Sequence, residues 1–418
     1  MHDFKYKNNR LYCEGIAVAE IAKKVGTPFY LYSRKTIIDH YRKLKTAFRE
    51  VDPLICYSVK ANSSLAILKV LVNEGAGLDI VSGGELYRAR RVGVDPKRIV
   101  YAGVGKTQTE IDAGLKAGIL FFNVESLNEL YLLNQRAGAL NKRPYAAIRV
   151  NPNVSARTHK YITTGRHENK FGLDFTTARW IFFNSNKFPH VRLRGLHVHI
   201  GSQIVNSGPF LSAIKKVRNF VVGLKGLGVK VEYLNIGGGL GIIYKDERPQ
   251  TADEYARVVV PILKDTGLKI ILEPGRFIVG NAGILVTRVS YVKQTKNKNF
   301  IIVDAGMSDF IRPTLYEAYH EVLPGTKTRA RTRKFDVVGP ICETGDFFAL
   351  NRKMAEPAEG NLLAVMSAGA YGFSMSSNYN SRVKPCEVMV VAKKSFVIRK
   401  REGCKDLVRG EVLPTALK

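Results

Sequence analysis

The chain has 418 residues, of which 45% are hydrophobic, so it can bury a large core and divide into two domains. No apolar run reaches the roughly 18 residues that a membrane helix needs, and the N-terminus MHDFKYKNNR lacks the apolar core of a signal peptide. We therefore expect a cytoplasmic protein without a membrane segment. The formal charge is +29, but the densest basic run, KTRARTRK at 327–334, has no interleaved aromatic residues, so we do not expect a nucleic-acid-binding protein.

The cysteines are few and irregularly spaced: Cys13, Cys56, Cys342, Cys386 and Cys404. An odd number without a CxxC pair argues against both a disulfide framework and a zinc site. We therefore expect no metal centre, and we expect any cysteine with a special role to be catalytic.

The first 280 residues predict alternating strands and helices. FKYKNNRLYCEG (4–15) resembles a hairpin, and a helix is predicted over about 34–50. Eight β-rich runs follow, with segments of helical periodicity between them. The runs are LICYSV (54–59), LDIVS (78–82), RIVYAG (98–103), ILFFNV (119–124), YAAIRV (145–150), LRGLHVHI (193–200), VEYLNI (231–236) and KIILEP (269–274). This alternation predicts a (β/α)8 barrel of the TIM type.

The pattern changes after residue 280. Runs such as ILVTRVSYV, FIIVDA, FDVVGPI and EVMVVAKK have no long helices between them, which predicts a second, all-β domain. We place the barrel at 31–280 and the β domain at 281–418. We expect the N-terminal segment 1–30 to join the β domain. A longer insertion is expected within the barrel at 151–175.

Four unusual clusters follow strands of the predicted barrel. Lys60 comes just past the first strand in CYSVKAN, HVHIGSQ (197–203) ends the sixth, NIGGGLG (235–241) follows the seventh and EPGRF (273–277) ends the eighth. The C-terminal ends of barrel strands form one rim, which carries the active site. Each cluster alone has an ordinary explanation, as a solvated lysine, a structural histidine or a flexible turn. Their shared rim is what indicates a site.

Three of these clusters contain groups that fit one cofactor. The backbone N–H groups of Gly237, Gly238 and Gly239 can hold a phosphate, and the Ser202 hydroxyl adds a donor. Lys60 can form a Schiff base with an aldehyde. Pyridoxal phosphate carries both an aldehyde and a phosphate.

The ring of this cofactor makes further demands. It withdraws electrons only if its nitrogen stays protonated, so a carboxylate should face that nitrogen. Glu273 is the candidate. His199 is placed to stack on the ring face, and Arg276 is placed for an anionic group of cofactor or substrate.

In these motifs the chain resembles the diaminopimelate decarboxylases, which are fold-type III enzymes that use pyridoxal phosphate. The resemblance spans nearly the whole chain and implies the barrel above with a β domain of Greek-key barrel or sandwich type. It is carried by YSVKAN, ENKFGL (168–173), HIGSQ, GGGLG, EPGR, DAGMSDFIRPTLYEAYH (304–320), GPICETGD (339–346) and GAYGFSM (369–375).

The resemblance also implies roles for single residues. Lys60 would bind the cofactor, and Glu273 would pair with its ring nitrogen. For Asp79 we keep two interpretations, part of the cofactor shell or purely structural. The phosphate contacts would be Ser202, Gly237, Gly238, Gly239 and the backbone of Gly275 and Arg276, and Tyr371 would also contact the cofactor. The substrate contacts would be Arg276, Arg312, Tyr316, Glu343 and Tyr371, and the catalytic candidates are Lys60, His199 and Cys342, the last as proton donor.

The implied reaction is decarboxylation of meso-2,6-diaminopimelate to L-lysine and CO2, the last step of lysine biosynthesis. The implied assembly is a homodimer in which CETGD of one subunit completes the active site of the other. A decarboxylase for ornithine, arginine or a related polyamine precursor is the alternative on the same fold. Alanine racemase is disfavoured because its ring nitrogen typically faces an arginine rather than a glutamate. A pyridoxal-phosphate-binding homeostasis protein is disfavoured by the residues after 280.

Overall fold

The computed structural model describes residues 2–155 and 170–417. Residues 156–169, which include part of the predicted insertion and the first two residues of ENKFGL, lie outside the described residues. Among the residues described, no helix is long and apolar enough to cross a membrane. The same residues contain no cluster of His, Cys, Asp and Glu arranged to bind a metal ion.

Two compact units make up the chain. One contains Met1–Thr36 and Gly280–Lys418, and the other contains Ile37–Val279. The predicted division into a segment 1–30 that joins the β domain, a barrel at 31–280 and a β domain at 281–418 stays a prediction.

The N-terminal part of the first unit begins with a small sheet. Its elements are β1 Phe4–Lys7, β2 Arg10–Cys13, β3 Ile16–Ala17, helix α1 Val18–Val25 and β4 Phe29–Ser33. β1 and β2 pair antiparallel with Phe4 opposite Cys13, which confirms the predicted hairpin. Helix α1 was not predicted from the sequence; it has only eight residues, and it buries Val18, Ile21 and Ala22.

A closed parallel barrel forms the second unit. Its elements, with α2 leading into it, are α2 Arg34–Ala47, β5 Leu54–Ser58, α3 Leu65–Asn73, β6 Gly77–Ile80, α4 Gly83–Arg91, β7 Ile99–Tyr101, α5 Gln108–Ala117, β8 Phe121–Val124, α6 Leu127–Ala139, β9 Tyr145–Arg149, α7 Phe175–Phe183, β10 Arg192–His197, α8 Gly208–Gly226, β11 Tyr233–Asn235, α9 Ala252–Thr266, β12 Lys269–Leu272 and α10 Arg276–Val279. The strands pair in chain order, and β12 pairs with β5 to close the ring. The (β/α)8 prediction is confirmed.

The barrel forms because its strands are apolar and its helices are well capped. Strand β8 is buried along its whole length, and Cys56, Val100, Phe121, Ala147 and Ile271 from five strands pack together in the interior. Helix α9 starts with a capping box, in which Thr251 and Glu254 each accept a backbone N–H of the other, and it ends at Gly267 in a left-handed conformation. The sequence therefore sets both the inward faces and the ends of these elements.

The remaining elements of the first unit form a separate, mostly antiparallel β domain. They are β13 Gly283–Gln294, β14 Asn299–Val303, α11 Arg312–Tyr316, β15 Val322–Pro324, β16 Thr332–Val338, β17 Phe347–Ala355, β18 Leu362–Val365, β19 Cys386–Val391, β20 Lys394–Arg399 and α12 Cys404–Leu407. The main path of the sheet runs β17-β16-β14-β13-β4-β19-β20, and β18 pairs with β13 and β15. The N-terminal strand β4 thus lies between two C-terminal strands. Its Phe29 and Leu31 pack in one core with Ile284, Val286 and Val388.

A buried acid lies beside this sheet. The Asp309 carboxylate accepts the N–H of Gly306 at 2.8 Å, and the Asp309 carbonyl accepts the hydroxyl of Tyr30 at 2.6 Å. Burial raises the pKa of Asp309 to about 6. Asp309 therefore holds a proton more tightly in the folded chain than in the unfolded chain.

This shift predicts a pH dependence of stability with a defined sign. A raised carboxyl pKa stabilises the fold fully below the ordinary value of 3.8, and this contribution is lost as the pH rises through about 6. The melting temperature of the wild type minus that of Asp309→Asn should therefore fall across this window and stay constant above it. Calorimetry of both proteins over the window provides the measurement, and a flat difference contradicts the prediction.

Candidate active site

Lys60 lies in the turn Val59–Ala61 directly after β5. Its Nζ is 2.8 Å from Oδ2 of Asp79 on β6, and the hydroxyl of Ser58 donates to the same oxygen at 2.6 Å. The Asp79 side chain is fully buried, whereas the Lys60 side chain is 39% exposed. A partly exposed amine is thus anchored by a buried acid.

Asp79 retains an unused acceptor. Its second oxygen, Oδ1, is buried without a hydrogen-bond partner among the described residues. Burial and the neighbouring Glu273 raise the pKa of Asp79, and Lys60 and Ser58 oppose the rise. Because buried polar atoms are rarely left unpaired, the orphaned oxygen indicates a place where a ligand group is expected.

Glu273, directly after β12, is buried and heavily hydrogen-bonded. Its Oε1 accepts the side-chain amides of Asn123 (3.1 Å) and Asn235 (2.6 Å), and its Oε2 accepts Nε2–H of His197 (3.1 Å). Burial alone would raise the pKa of Glu273, but His197, the hydrogen bonds and Lys60 together hold it well below its usual range. An ionised carboxylate accepts about four hydrogen bonds, so Glu273 has the capacity for one more donor.

The three side chains that donate to Glu273 had no predicted role: Asn123, Asn235 and His197. All three lie at or next to the C-terminal ends of buried strands, β8, β11 and β10. A polar side chain at the end of an apolar barrel strand cannot reach bulk water and needs a partner in the interior. Its recurrence on three strands was a usable signal that the prediction overlooked.

The glycine run forms a tight cradle. A Cβ would lie 2.6 Å from the Val198 carbonyl oxygen at Gly237, 2.1 Å from the Glu273 carbonyl oxygen at Gly238, and 2.5 Å from the Gly201 carbonyl oxygen at Gly239. Gly237 and Gly239 also have φ values of +68° and +110°. Only glycine fits at these positions, and the backbone is exposed to a ligand as a result.

The protein already uses two of the three N–H groups in this cradle. The Gly237 N–H donates to Oδ1 of Asn235 at 2.9 Å, and the Gly238 N–H donates to Nδ1 of His199 at 3.2 Å. Among the described residues, the Gly239 N–H has no protein acceptor. The cradle is thus stiffened by two internal bonds and offers the third donor to a ligand.

His199 is neutral in this environment. Burial and the cations of Arg149 and Lys60 lower its pKa well below the usual value. Its Nδ1 accepts the Gly238 N–H, so the ring proton lies on Nε2. The bond to Gly238 therefore fixes the orientation of a neutral ring beside the glycine cradle.

Arg276 and Ser202 face each other beside the cradle. Nε and Nη2 of Arg276 donate to the Ser202 hydroxyl at 3.3 and 3.1 Å, and Nη1 donates to the Tyr244 hydroxyl at 2.5 Å. Arg276 is buried, and the preceding Gly275 packs against Ser58 and the turn that carries Lys60. A buried cation with a hydroxyl beside it is suited to an anion.

The other predicted residues lie in the β domain. Arg312 is buried in α11; its Nε donates to Nε2 of His320 at 3.3 Å, and its guanidinium lies 5.6 Å from the ring centre of Tyr316. Nδ1 of His320 donates to the Met366 carbonyl at 2.8 Å, which fixes the ring. His320 ends YEAYH but had no predicted role.

The CETGD loop is exposed but held in place. Cys342 and Glu343 are exposed, and the Cys342 N–H donates to the side chain of Asn380 at 2.9 Å. The Asp346 carboxylate accepts the N–H groups of Ile341 and Met307, each at 2.6 Å. The loop therefore presents its thiol and carboxylate on a fixed backbone.

Tyr371 has an unusual backbone conformation. Its φ is +56°, in the left-handed region that bulky residues rarely adopt. A Cβ on the next residue, Gly372, would lie 2.4 Å from the Ala368 carbonyl oxygen. Strained residues of this kind concentrate at functional sites, which agrees with a ligand contact by Tyr371.

The comparisons with known proteins agree with this geometry. A family model described as "Pyridoxal-dependent decarboxylase, pyridoxal binding domain" matches residues 34–280. A diaminopimelate decarboxylase of Aquifex aeolicus (strain VF5) is 48% identical over 405 residues, which are 97% of this chain and 96% of the relative. The chain belongs to the diaminopimelate decarboxylase family.

Solved structures of this family also match over nearly the whole chain. Diaminopimelate decarboxylase from Helicobacter pylori, complexed with L-lysine, is 42% identical, with a TM-score of 0.90 over 94% of this chain and 98% of that chain. The enzyme from M. jannaschii, in co-complex with L-lysine, is 38% identical, with a TM-score of 0.95 over 99% of each chain. As a member of this family, the chain is a pyridoxal-phosphate-dependent carboxy-lyase.

The barrel residues fit this cofactor. The cradle at Gly237–Gly239 admits no side chain and offers a backbone donor, and Arg276 with Ser202 adds an anion site. Lys60 supplies an amine, and Asp79 has an oxygen that lacks a partner. These groups match the phosphate and the aldehyde of pyridoxal phosphate.

Reduction of the holoprotein with borohydride should fix the cofactor to one lysine. We expect peptide mapping by mass spectrometry to find the pyridoxyl group on Lys60, because it joins a partly exposed amine to a buried acid. Buried Lys106 of the same barrel serves as the internal control and should remain unmodified. Lys60→Ala should lose covalent incorporation. A pyridoxyl group on another lysine contradicts the assignment.

Proposed function

We propose that this chain decarboxylates meso-2,6-diaminopimelate to L-lysine and CO2, as a cytoplasmic homodimer. The observation that carries the substrate assignment is Arg312, a buried cation beside Tyr316 in the segment DAGMSDFIRPTLYEAYH. The relatives named above support it, because both solved structures were obtained with L-lysine, the proposed product.

Each barrel residue has a defined task in this reaction. When bound, pyridoxal phosphate supplies a sink for the electrons that remain when CO2 leaves. Asp79 orients the Lys60 amine, and Arg276 with Ser202 binds the phosphate. Glu273 is held ionised by His197 and its hydrogen bonds. Its negative charge would stabilise the protonated form of the ring nitrogen. His199 presents a neutral ring that adds no competing charge.

The distal end of the substrate explains the choice of Arg312. Diaminopimelate carries an ammonium and a carboxylate at its far end, whereas ornithine and arginine end in a cation alone. Arg312 can grip the distal carboxylate through two parallel hydrogen bonds, and Glu343 can pair with the ammonium. A substrate without that carboxylate would forgo this charge-assisted pair with Arg312, which lowers its binding free energy.

The substrate panel that tests this function contains meso-diaminopimelate, ornithine, arginine and lysine, with CO2 and amine products measured. We expect kcat/KM for meso-diaminopimelate to exceed each of the others by at least about 100-fold. Arg312→Ala should lose most of this preference while borohydride still labels Lys60. Arg288→Ala is the matched control and should behave as wild type; Arg288 is a half-buried arginine of β13 that donates to the Gly360 carbonyl. Comparable turnover of ornithine or arginine would favour the polyamine alternative.

We also propose that the active sites are shared between two subunits. The support is the CETGD loop, whose Cys342 and Glu343 are exposed although Asp346 fixes their backbone. In this arrangement Cys342 returns a proton to the reacting carbon of the partner's substrate.

Mixing two inactive variants tests the shared site. Lys60→Ala and Cys342→Ala should each be inactive, and after random subunit exchange about a quarter of wild-type activity should return, because one site of each heterodimer regains both residues. Native mass spectrometry verifies the exchange. An absence of recovery after verified exchange contradicts sharing.

A further inference from the structure

Lys106 is a buried lysine to which the mechanism above gives no task. It follows β7, and its side chain is 1% exposed. Its Nζ donates to the carbonyl of Gly103 (2.8 Å), the carbonyl of Asn123 (2.9 Å) and Oε1 of Glu129 (2.7 Å). These three bonds use all the donors of an ammonium group. Apolar residues often replace a buried ion pair without loss of stability, so stability alone does not explain this lysine.

The contact between Lys106 and the Asn123 carbonyl leads to Glu273. The carbonyl that Lys106 holds belongs to Asn123 in β8, and the side chain of Asn123 donates to Oε1 of Glu273 at 3.1 Å. Lys106 thus fixes the backbone of a residue whose side chain fixes the buried carboxylate. A shift of that backbone would change the position of Glu273.

The contact between Lys106 and the Glu129 carboxylate leads to Arg149. Oε2 of Glu129 accepts the N–H of Glu125 at 3.0 Å, and the Glu125 carboxylate accepts Nη1 of Arg149 through both oxygens at 2.8 Å. All of these side chains are buried. Arg149 ends β9, and its charge contributes to the lowered pKa of His199. Two buried ion pairs, joined by one backbone hydrogen bond, therefore connect Lys106 to a cation whose charge acts on His199.

We propose that Lys106 is a positioning residue for the cofactor end of the site, which sets Glu273 through Asn123 and sets Arg149 through Glu129 and Glu125. The proposal rests on the role of Glu273 in the proposed function. Without the ammonium, Glu129 would be a buried carboxylate with no cation, and it would take up a proton or turn toward water. Either change loosens the contact to Glu125.

Lys106→Met tests the proposal because methionine keeps an unbranched side chain, about one atom shorter, and removes the charged nitrogen. We expect kcat to fall by about 10- to 100-fold, since small misplacements of catalytic groups cost this much, while KM for meso-diaminopimelate stays within about twofold. The cofactor should also leave the holoenzyme faster during gel filtration. Lys225→Met is the matched control, because Nζ of Lys225 donates to the Thr266 carbonyl at 2.7 Å at the C-terminal ends of α8 and α9. This substitution should change neither kcat nor the rate of cofactor loss.

A double variant separates positioning from stability. Lys106→Met/Glu129→Gln removes both charges of the buried pair, so it should regain much of the melting temperature that Lys106→Met loses. It should not regain kcat or cofactor retention, because the Asn123 carbonyl still lacks its donor. If Lys106→Met does not fold, Glu129→Gln alone tests the path to Arg149 with the same measurements.

The outcomes are distinct. An unchanged kcat in Lys106→Met, or a kcat that recovers together with the melting temperature in the double variant, overturns the proposal. Wild-type protein that does not turn over meso-diaminopimelate overturns the proposed function instead. In that case the rate of cofactor loss still decides whether Lys106 positions the site.

Discussion

The site is organised around one buried negative charge, the carboxylate of Glu273. Burying an ionised carboxylate is costly unless hydrogen bonds compensate it. Here Asn123, Asn235 and His197 provide them from three strands of the barrel, β8, β11 and β10. Because these donors belong to the barrel wall, the closed ring of strands fixes the position of the charge.

A second acid next to Glu273 is tuned the opposite way. Burial and the charge of Glu273 raise the pKa of Asp79, whereas the pKa of Glu273 is held low. Two acids whose environments push their pKa values apart can take different tasks. Glu273 keeps a fixed charge, and Asp79 pairs with the amine of Lys60. The glycine cradle packs against the backbone of Glu273, since a Cβ at Gly238 would meet the Glu273 carbonyl.

Much of this arrangement was predictable from the sequence. Alternating strands and helices predicted the barrel. Because the C-terminal ends of barrel strands lie at one rim, Lys60, the glycines and Glu273 were predicted to lie together. The residues of the β domain, such as Arg312 and Glu343, came from the resemblance alone, because periodicity gives no register between distant loops. The roles of those residues stay predictions.

The supporting shell was not predicted. Asn123 and Asn235 sit in apolar runs, and whether such a residue points inward depends on the register of the strand. Lys106 lies in a loop, where lysine is ordinarily solvated. The use of two cradle N–H groups by Asn235 and His199 also depends on tertiary geometry, which no local pattern encodes.

The most direct measurement is the protonation state of the ring nitrogen in the holoenzyme. Pyridoxal phosphate labelled with nitrogen-15 at that position can be bound and its NMR shift recorded at neutral pH, in the wild type and in Glu273→Gln. If the buried carboxylate governs the site, the wild type should show a protonated nitrogen and Glu273→Gln an unprotonated one, with a large loss of kcat. An unprotonated nitrogen in the active wild-type enzyme would contradict the account.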